Sequence, residues 1–167
     1  MKAYQDASSL RTGLRPNVLV VSREVDTKLQ RHPDVIELLS GGATPGNPAI
    51  ANNALLARIF GVERYLVADG IKVTSPENKD FETSMTMARI AGKHALLVYA
   101  APDASIDNPS GGYTFSWRGR FAAGPEGQRV KRFRLEAIES DRIEGQMAYV
   151  PKLVCSDCGV FFNGIIA

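Results

Sequence analysis

Cysteine is scarce in this sequence: Cys155 and Cys158 are the only two in 167 residues. That excludes a disulfide framework. Histidine is equally rare, with His32 and His94 alone. No apolar run approaches the roughly 20 residues of a membrane span; the run from Ala95 to Ala101 stops at Pro102. A surplus of one charge is also missing. The 20 basic and 18 acidic residues leave +2, unlike a protein built to coat nucleic acid. The opening MKAYQDASSLRTG has no apolar signal core, so the expectation is a protein of the cytoplasm, or one that assembles there. No repeat or low-complexity tract occurs.

What remains is an ordinary globular composition, 44% hydrophobic and 23% charged, which excludes disorder. A chain of this length buries roughly 70% of its unfolded surface, enough to fold without metal or disulfides.

Residues 1–10 read as a frayed lead-in. Asn17 to Val21 carries three valines and reads as a buried strand. Ser22 is placed to cap a helix from Arg23, with Val25 and Leu29 on one face. Pro33 should end or restart it, and Val35, Ile36, Leu38 and Leu39 form a second apolar patch before Gly41-Gly42. Gly41 to Pro48 is a loop by composition. Asn52 or Asn53 caps a short helix with Leu55, Leu56, Ile59 and Phe60 on its buried side, and Gly61 sits at its C-terminal cap. Tyr65 to Val67 and Ile71 to Val73 flank Asp69-Gly70, a hairpin signal. Residues 75–91 read as a mobile loop. Ala95 to Tyr99 is a second central strand, apolar on both faces like the first. A loop from Asp103 to Gly112 precedes Tyr113, Phe115 and Trp117, which alternate with Thr114 and Ser116. Residues 124–127 are a turn, and 129–137 and 143–153 are longer strands. Val160 to Ile166 close the chain on apolar residues. Strands and short helices first, then mostly strands, point to α+β.

No motif here carries chemistry. Gly41 to Gly46 has the glycine spacing of a phosphate loop, but Asn47 and Pro48 stand where Lys and Ser or Thr are needed. Neither histidine lies in a G-x-S-x-G or H-E-x-x-H context; capping or packing is the expected role of both. Cys155 and Cys158 form a C-x-x-C between strand-like segments, with no second ligand pair for zinc and no helix N-terminus to favour thiolate. Glu136, Glu139, Asp141 and Glu144 read as a solvated bend or a strip pairing with arginines. In the basic run, alternation sends Arg132 and Arg134 to one face and Arg129 and Lys131 to the other. A split run is a poor nucleic-acid stripe and suits inter-subunit salt bridges or a strand exposed on both sides.

Several ordered segments are similar to the C-terminal half of a tailed-bacteriophage or prophage major capsid protein. They are LRTGLRPN from Leu10 to Asn17, LQRHPD from Leu29 to Asp34, and IFGVER from Ile59 to Arg64. ALLVY from Ala95 to Tyr99, PSGGYTFSW from Pro109 to Trp117, SDRIE from Ser140 to Glu144 and Met147-Ala148-Tyr149 follow. The resemblance implies the phage major capsid protein fold, shared with encapsulins and the herpesvirus capsid floor. It places residues 1–16 as lead-in, 17–127 as an axial-like α+β domain and 128–167 as peripheral-domain-like strands. Family members are about twice as long. The N-terminal arm, extended loop and spine helix are not legible here, since no helical period is long enough for a spine. A recombinant fragment, a truncated prophage gene and a family variant all fit.

The resemblance implies a structural subunit of the virion shell, assembling in the bacterial host cytoplasm. Catalytic, cofactor and metal residues are expected to be none. The expected partner is the chain itself in pentamers and hexamers, with scaffold or decoration proteins, packaged DNA touched only non-specifically, and no membrane. Two other readings stand beside it. One is a small enzyme whose residues meet only in space, for which a deep pocket pairing His94 with a carboxylate would speak. The other is a nucleic-acid-binding module using the basic strand 129–134.

Overall fold

The computed structural model describes residues 1–40, 52–76, 85–120 and 127–166. The elements run α1 (Lys2–Thr12), β1 (Val18–Ser22), α2 (Arg23–Gln30), α3 (Pro33–Ser40), α4 (Asn53–Phe60), β2 (Arg64–Ala68), β3 (Ile71–Val73), β4 (Met87–Arg89), β5 (Ala95–Val98), β6 (Gly112–Ser116), β7 (Gln128–Leu135), β8 (Ser140–Met147), β9 (Tyr149–Leu153) and β10 (Gly159–Phe162). The fold is mixed α+β. The stretch Gly41 to Pro48 lies outside the described residues.

The valine run becomes β1, flanked by β5 and β2 in a four-stranded sheet of order β10-β5-β1-β2. β1 runs parallel to β2 and antiparallel to β5. A parallel pair needs a long crossover, and α2, α3 and α4 supply it. Register puts Leu19, Val21, Tyr65, Val67, Ala95, Leu97 and Phe162 on one face. Val25, Leu29, Val35, Leu56, Ile59 and Phe60 from the crossover helices pack on that face and make the core. Each fully buried Leu or Val there contributes about 1.5–3 kcal/mol. Ser22 Oγ accepts from the Val25 amide at 3.3 Å and starts α2. Gly61 closes α4 at φ 66°, where only glycine is unstrained. Of the second apolar patch, Val35 is buried, Ile36 is half-buried and Leu38 is exposed.

The lead-in reading is corrected: residues 2–12 are a helix. Its inward positions include Gln5 and Ser8, both buried. Gln5 Nε2 donates to the Phe60 carbonyl at 3.1 Å, and Ser8 Oγ to the Asp157 carbonyl at 2.9 Å. Tyr4 meets Phe162 edge-on. Hydrogen bonds hold much of this face, so no apolar period marks it.

The hairpin at Asp69-Gly70 is also corrected. β2 enters the main sheet, while β3 pairs antiparallel with β4, a strand inside the segment read as a mobile loop. Asp69 is held by Arg23 and Arg89 (Arg23 Nε–Oδ1 2.7 Å, Arg89 Nη1–Oδ1 3.0 Å), so the corner is tied across to α2 and β4. The guanidinium of Arg23 keeps the Asp69 carboxyl below its usual range.

Asp26 is buried and fully engaged. Tyr65 Oη donates to Oδ1 at 2.9 Å, and Gln30 Nε2 to Oδ2 at 2.9 Å. Burial, then this bond to Asp26, pushes the Tyr65 phenol well up, so it stays a donor at any physiological pH. Tyr65→Phe is expected to cost about 1–3 kcal/mol, because it strands part of a buried carboxylate. Urea unfolding checks this; a midpoint equal to the parent's would contradict it.

Most strands in the last third of the chain form two-stranded ribbons. β6 pairs with β9, and β7 with β8. The strand expected at 143–153 is split at Ala148, whose amide donates to the Gly127 carbonyl at 2.9 Å while its carbonyl takes the Trp117 amide at 3.0 Å. The strand expected at 129–137 ends at Leu135 in a short turn with Glu139 at φ 47°. The chain then returns to the main sheet as β10 beside β5. The β5–β10 and β6–β9 pairings therefore both cross the position between residues 127 and 128.

Candidate interaction surface

The two central strands were expected to be covered on both faces. The structure corrects this: helices cover one face, and much of the other is open. On the open side lie Val20, Leu66, Leu96, Val98 and Phe161, with Leu66 47% and Phe161 62% exposed. At one end the backbone of 110–112 closes down on this face. A Cβ on Gly111 would overlap Val98 Cγ2, which is why glycine stands there. Ser110 is buried and anchors the Asp103 to Gly112 loop, accepting from the Ala101 amide, and Tyr113 Oη donates to the Asn108 carbonyl at 2.6 Å.

The open face holds two adjoining depressions that share Leu96 and Phe161. One, of about 520 Å³, is lined by Val98, Tyr113, Pro151 and Leu153 among others. The other, of about 240 Å³, takes in Val20, Ala68, Ile90 and His94. Lys152 is the one Lys, Arg, Asp or Glu among these lining residues. A trough so poor in polar groups is suited to an apolar partner rather than to orienting a substrate.

His94 sits at the rim. Its Nδ1 accepts from the Gly164 amide at 3.1 Å, and its ring tilts against Phe161. The expected capping and packing role is what it performs. No carboxylate lines its depression, so the feature that would have favoured an enzyme is missing among the described residues. His32 is exposed, 3.8 Å from Asp34.

Cys155 and Cys158 are both free thiols. Cys158 is buried on the short turn before β10, and burial, with a bond to Cys155, pushes its pKa up to about 11. That is the reverse of an activated thiol. Alkylation of the folded protein should therefore modify Cys155 well before Cys158; equal rates by peptide mass spectrometry would contradict it. No group of three metal-ligating side chains occurs among the described residues.

The basic run lies on β7, split between its two faces as expected. Arg132 pairs with Asp141 at 2.6 Å and Arg134 with Glu136 at 3.0 Å, while Arg129 donates to Gln146 Oε1 at 2.6 Å. Along β8 itself Arg142 pairs with Glu144 at 2.8 Å. The acidic strip thus neutralises the arginines locally and leaves little field for a phosphate backbone. Sequence reasoning did not single out the apolar exposure of this region. Phe115, Trp117, Val130, Ile143, Met147, Tyr149 and Val150 are all exposed. Their period-two spacing was legible, but not that their faces lack cover.

No helix among the described residues is long and apolar enough to cross a membrane. No family model matches the chain. It is similar to the major capsid protein of Burkholderia phage BcepMu, 27% identical over 161 residues, which are 96% of this chain and 48% of that protein. Among solved structures, that of a phage-related protein from Bordetella bronchiseptica RB50 shares the fold. Its TM-score is 0.72 at 21% identity, over 96% of this chain and 49% of the other. The similarity to phage major capsid proteins read from the sequence is borne out. The chain spans about half the length of the proteins it matches.

Proposed function

We propose that this chain is a structural, non-catalytic subunit, or part of one, of a bacteriophage or prophage capsid shell. It acts through self-association round a capsomer axis. The observation that carries this is similarity running over 96% of the chain to a phage major capsid protein. The exposed apolar trough and ribbons support it, because a monomer rarely leaves such surface uncovered. The helix-backed sheet, β10 included, serves as the axial-type unit, and the β6–β9 and β7–β8 ribbons supply the peripheral-type strands. The partners are other copies, with scaffold or decoration proteins, and packaged DNA is touched without sequence preference. The site of action is the virion, after assembly in the host cytoplasm. No residue is assigned to catalysis, cofactor or metal.

The test is mass spectrometry of particles released on phage induction from the bacterium that encodes the chain. Its peptides should be among the most abundant in sedimented particles. Particles rich in other head proteins but without these peptides would sink the reading.

A further inference from the structure

We propose that the trough on the open sheet face receives the β7–β8 ribbon of a second copy, in a head-to-tail contact. This rests on the self-association reading and names the surfaces that carry it.

The ribbon has one face suited to the trough. Register puts Val130, Ile143, Gly145 and Met147 on the same side, with Val130 76%, Ile143 68% and Met147 65% exposed. A two-stranded ribbon is marginal alone, and the described residues leave this stripe exposed. From Ile143 to Met147 the stripe runs four residues, about 14 Å at strand rise. The trough crosses three strand spacings from β10 to β2, also about 14 Å. Gly145 lies mid-stripe, opposite Val130, and a Cβ there would meet nothing within 4 Å. That leaves open space between larger side chains, where Phe161, 62% exposed at the junction of the two depressions, can seat. On the same ribbon face Gln128 lies opposite Met147 and Arg132 opposite Ile143; Arg132 is paired with Asp141, so these polar groups flank the apolar stripe and would meet the rim of the trough.

The two surfaces are different parts of the chain, so the contact is heterologous. Each copy offers a trough to one neighbour and a ribbon to the next, the arrangement that closes into rings. Trough against trough would instead cap the chain as a two-fold dimer.

Sedimentation velocity over a concentration series, on the purified chain, tests this. The parent's sedimentation coefficient should rise with concentration. Leu96→Arg, which blocks the trough, and Ile143→Arg, which blocks the ribbon, should each weaken association at least tenfold and melt like the parent. Both side chains already reach solvent, and an arginine head can stay in water. Phe161→Arg and Val130→Arg serve as second variants. Mixing the two blocked variants is decisive. One still has a working ribbon and the other a working trough, so the mixture should form dimers and nothing larger. A parent that stays monomeric throughout, association indifferent to these substitutions, or a mixture without rescue would each overturn the proposal. The particle analysis above is independent of that outcome, so failure of this contact is distinguishable from failure of the capsid reading.

Discussion

Leu97→Asp should abolish soluble folding, while Leu96→Asp, one residue away, should leave a folded protein. Leu97 is 0% exposed. It lies on β5 between Leu19 of β1 and Val160 of β10. Truncating such a leucine to alanine costs about 2–5 kcal/mol. An aspartate buries a charge among the apolar side chains of the core, several kcal/mol more. Together these reach the whole stability of a typical domain, about 5–15 kcal/mol. Leu96 points to the open face, so a carboxylate there keeps its water, and the expected cost is about 1 kcal/mol. Val20→Asp should fall between, since Val20 shares the open face but is only half-exposed. Soluble yield and urea midpoints decide it. A Leu97→Asp variant that melts like the parent would mean the strand is turned over, because a one-residue slip exchanges the faces.

How much of this was legible depends on where the physics was local. β1, β5, the Ser22 cap, Pro33 at a helix start and Gly61 at a helix end are decided by neighbours in sequence, and they stood out. The Asp69-Gly70 hairpin did not form because β2 gains more beside β1, where Tyr65 and Val67 join the core, than it would from β3. That is a long-range gain with no local signature. Helix α1 was missed for a sharper reason. Gln5 and Ser8 are buried through hydrogen bonds to carbonyls of Phe60 and Asp157, and a polar buried face has no hydrophobic period to detect.

The interaction surface was half legible. Strands apolar on both faces predict cover on both faces, which is sound for a finished molecule. Here Leu96 and Phe161 look out over a trough instead. The basic run of β7 is split between two faces as its alternation implies, and of the two readings of the acidic strip the pairing with arginines holds, within one chain rather than between subunits. What sequence could not supply was that Val130, Ile143 and Met147 share one uncovered side, because that needs the β7–β8 register.

The second large effect concerns assembly: this chain alone should give monomers that associate into weak rings at high concentration, and no closed shell. A shell needs contacts within a capsomer and between capsomers. Under the function proposed for the chain, the axial-type unit would serve the first, and the arm, spine helix and extended loop that the resemblance implies would serve much of the second. This chain spans about half the length of the proteins it matches, and no described helix exceeds 11 residues. The contact proposed above is also small. A stripe about 14 Å long on a ribbon about 10 Å wide gives about 140 Å² of footprint against the roughly 800 Å² per partner of a stable interface. Such a contact can orient neighbours but cannot hold a particle closed. Ring closure still helps, since each subunit in a ring is held by two contacts, so five or six copies can persist where a dimer would not. Light scattering and negative-stain microscopy of concentrated protein should therefore show small species that vanish on dilution. Uniform hollow particles would mean that these 167 residues carry inter-capsomer contacts of their own, and the division of labour argued here would be wrong.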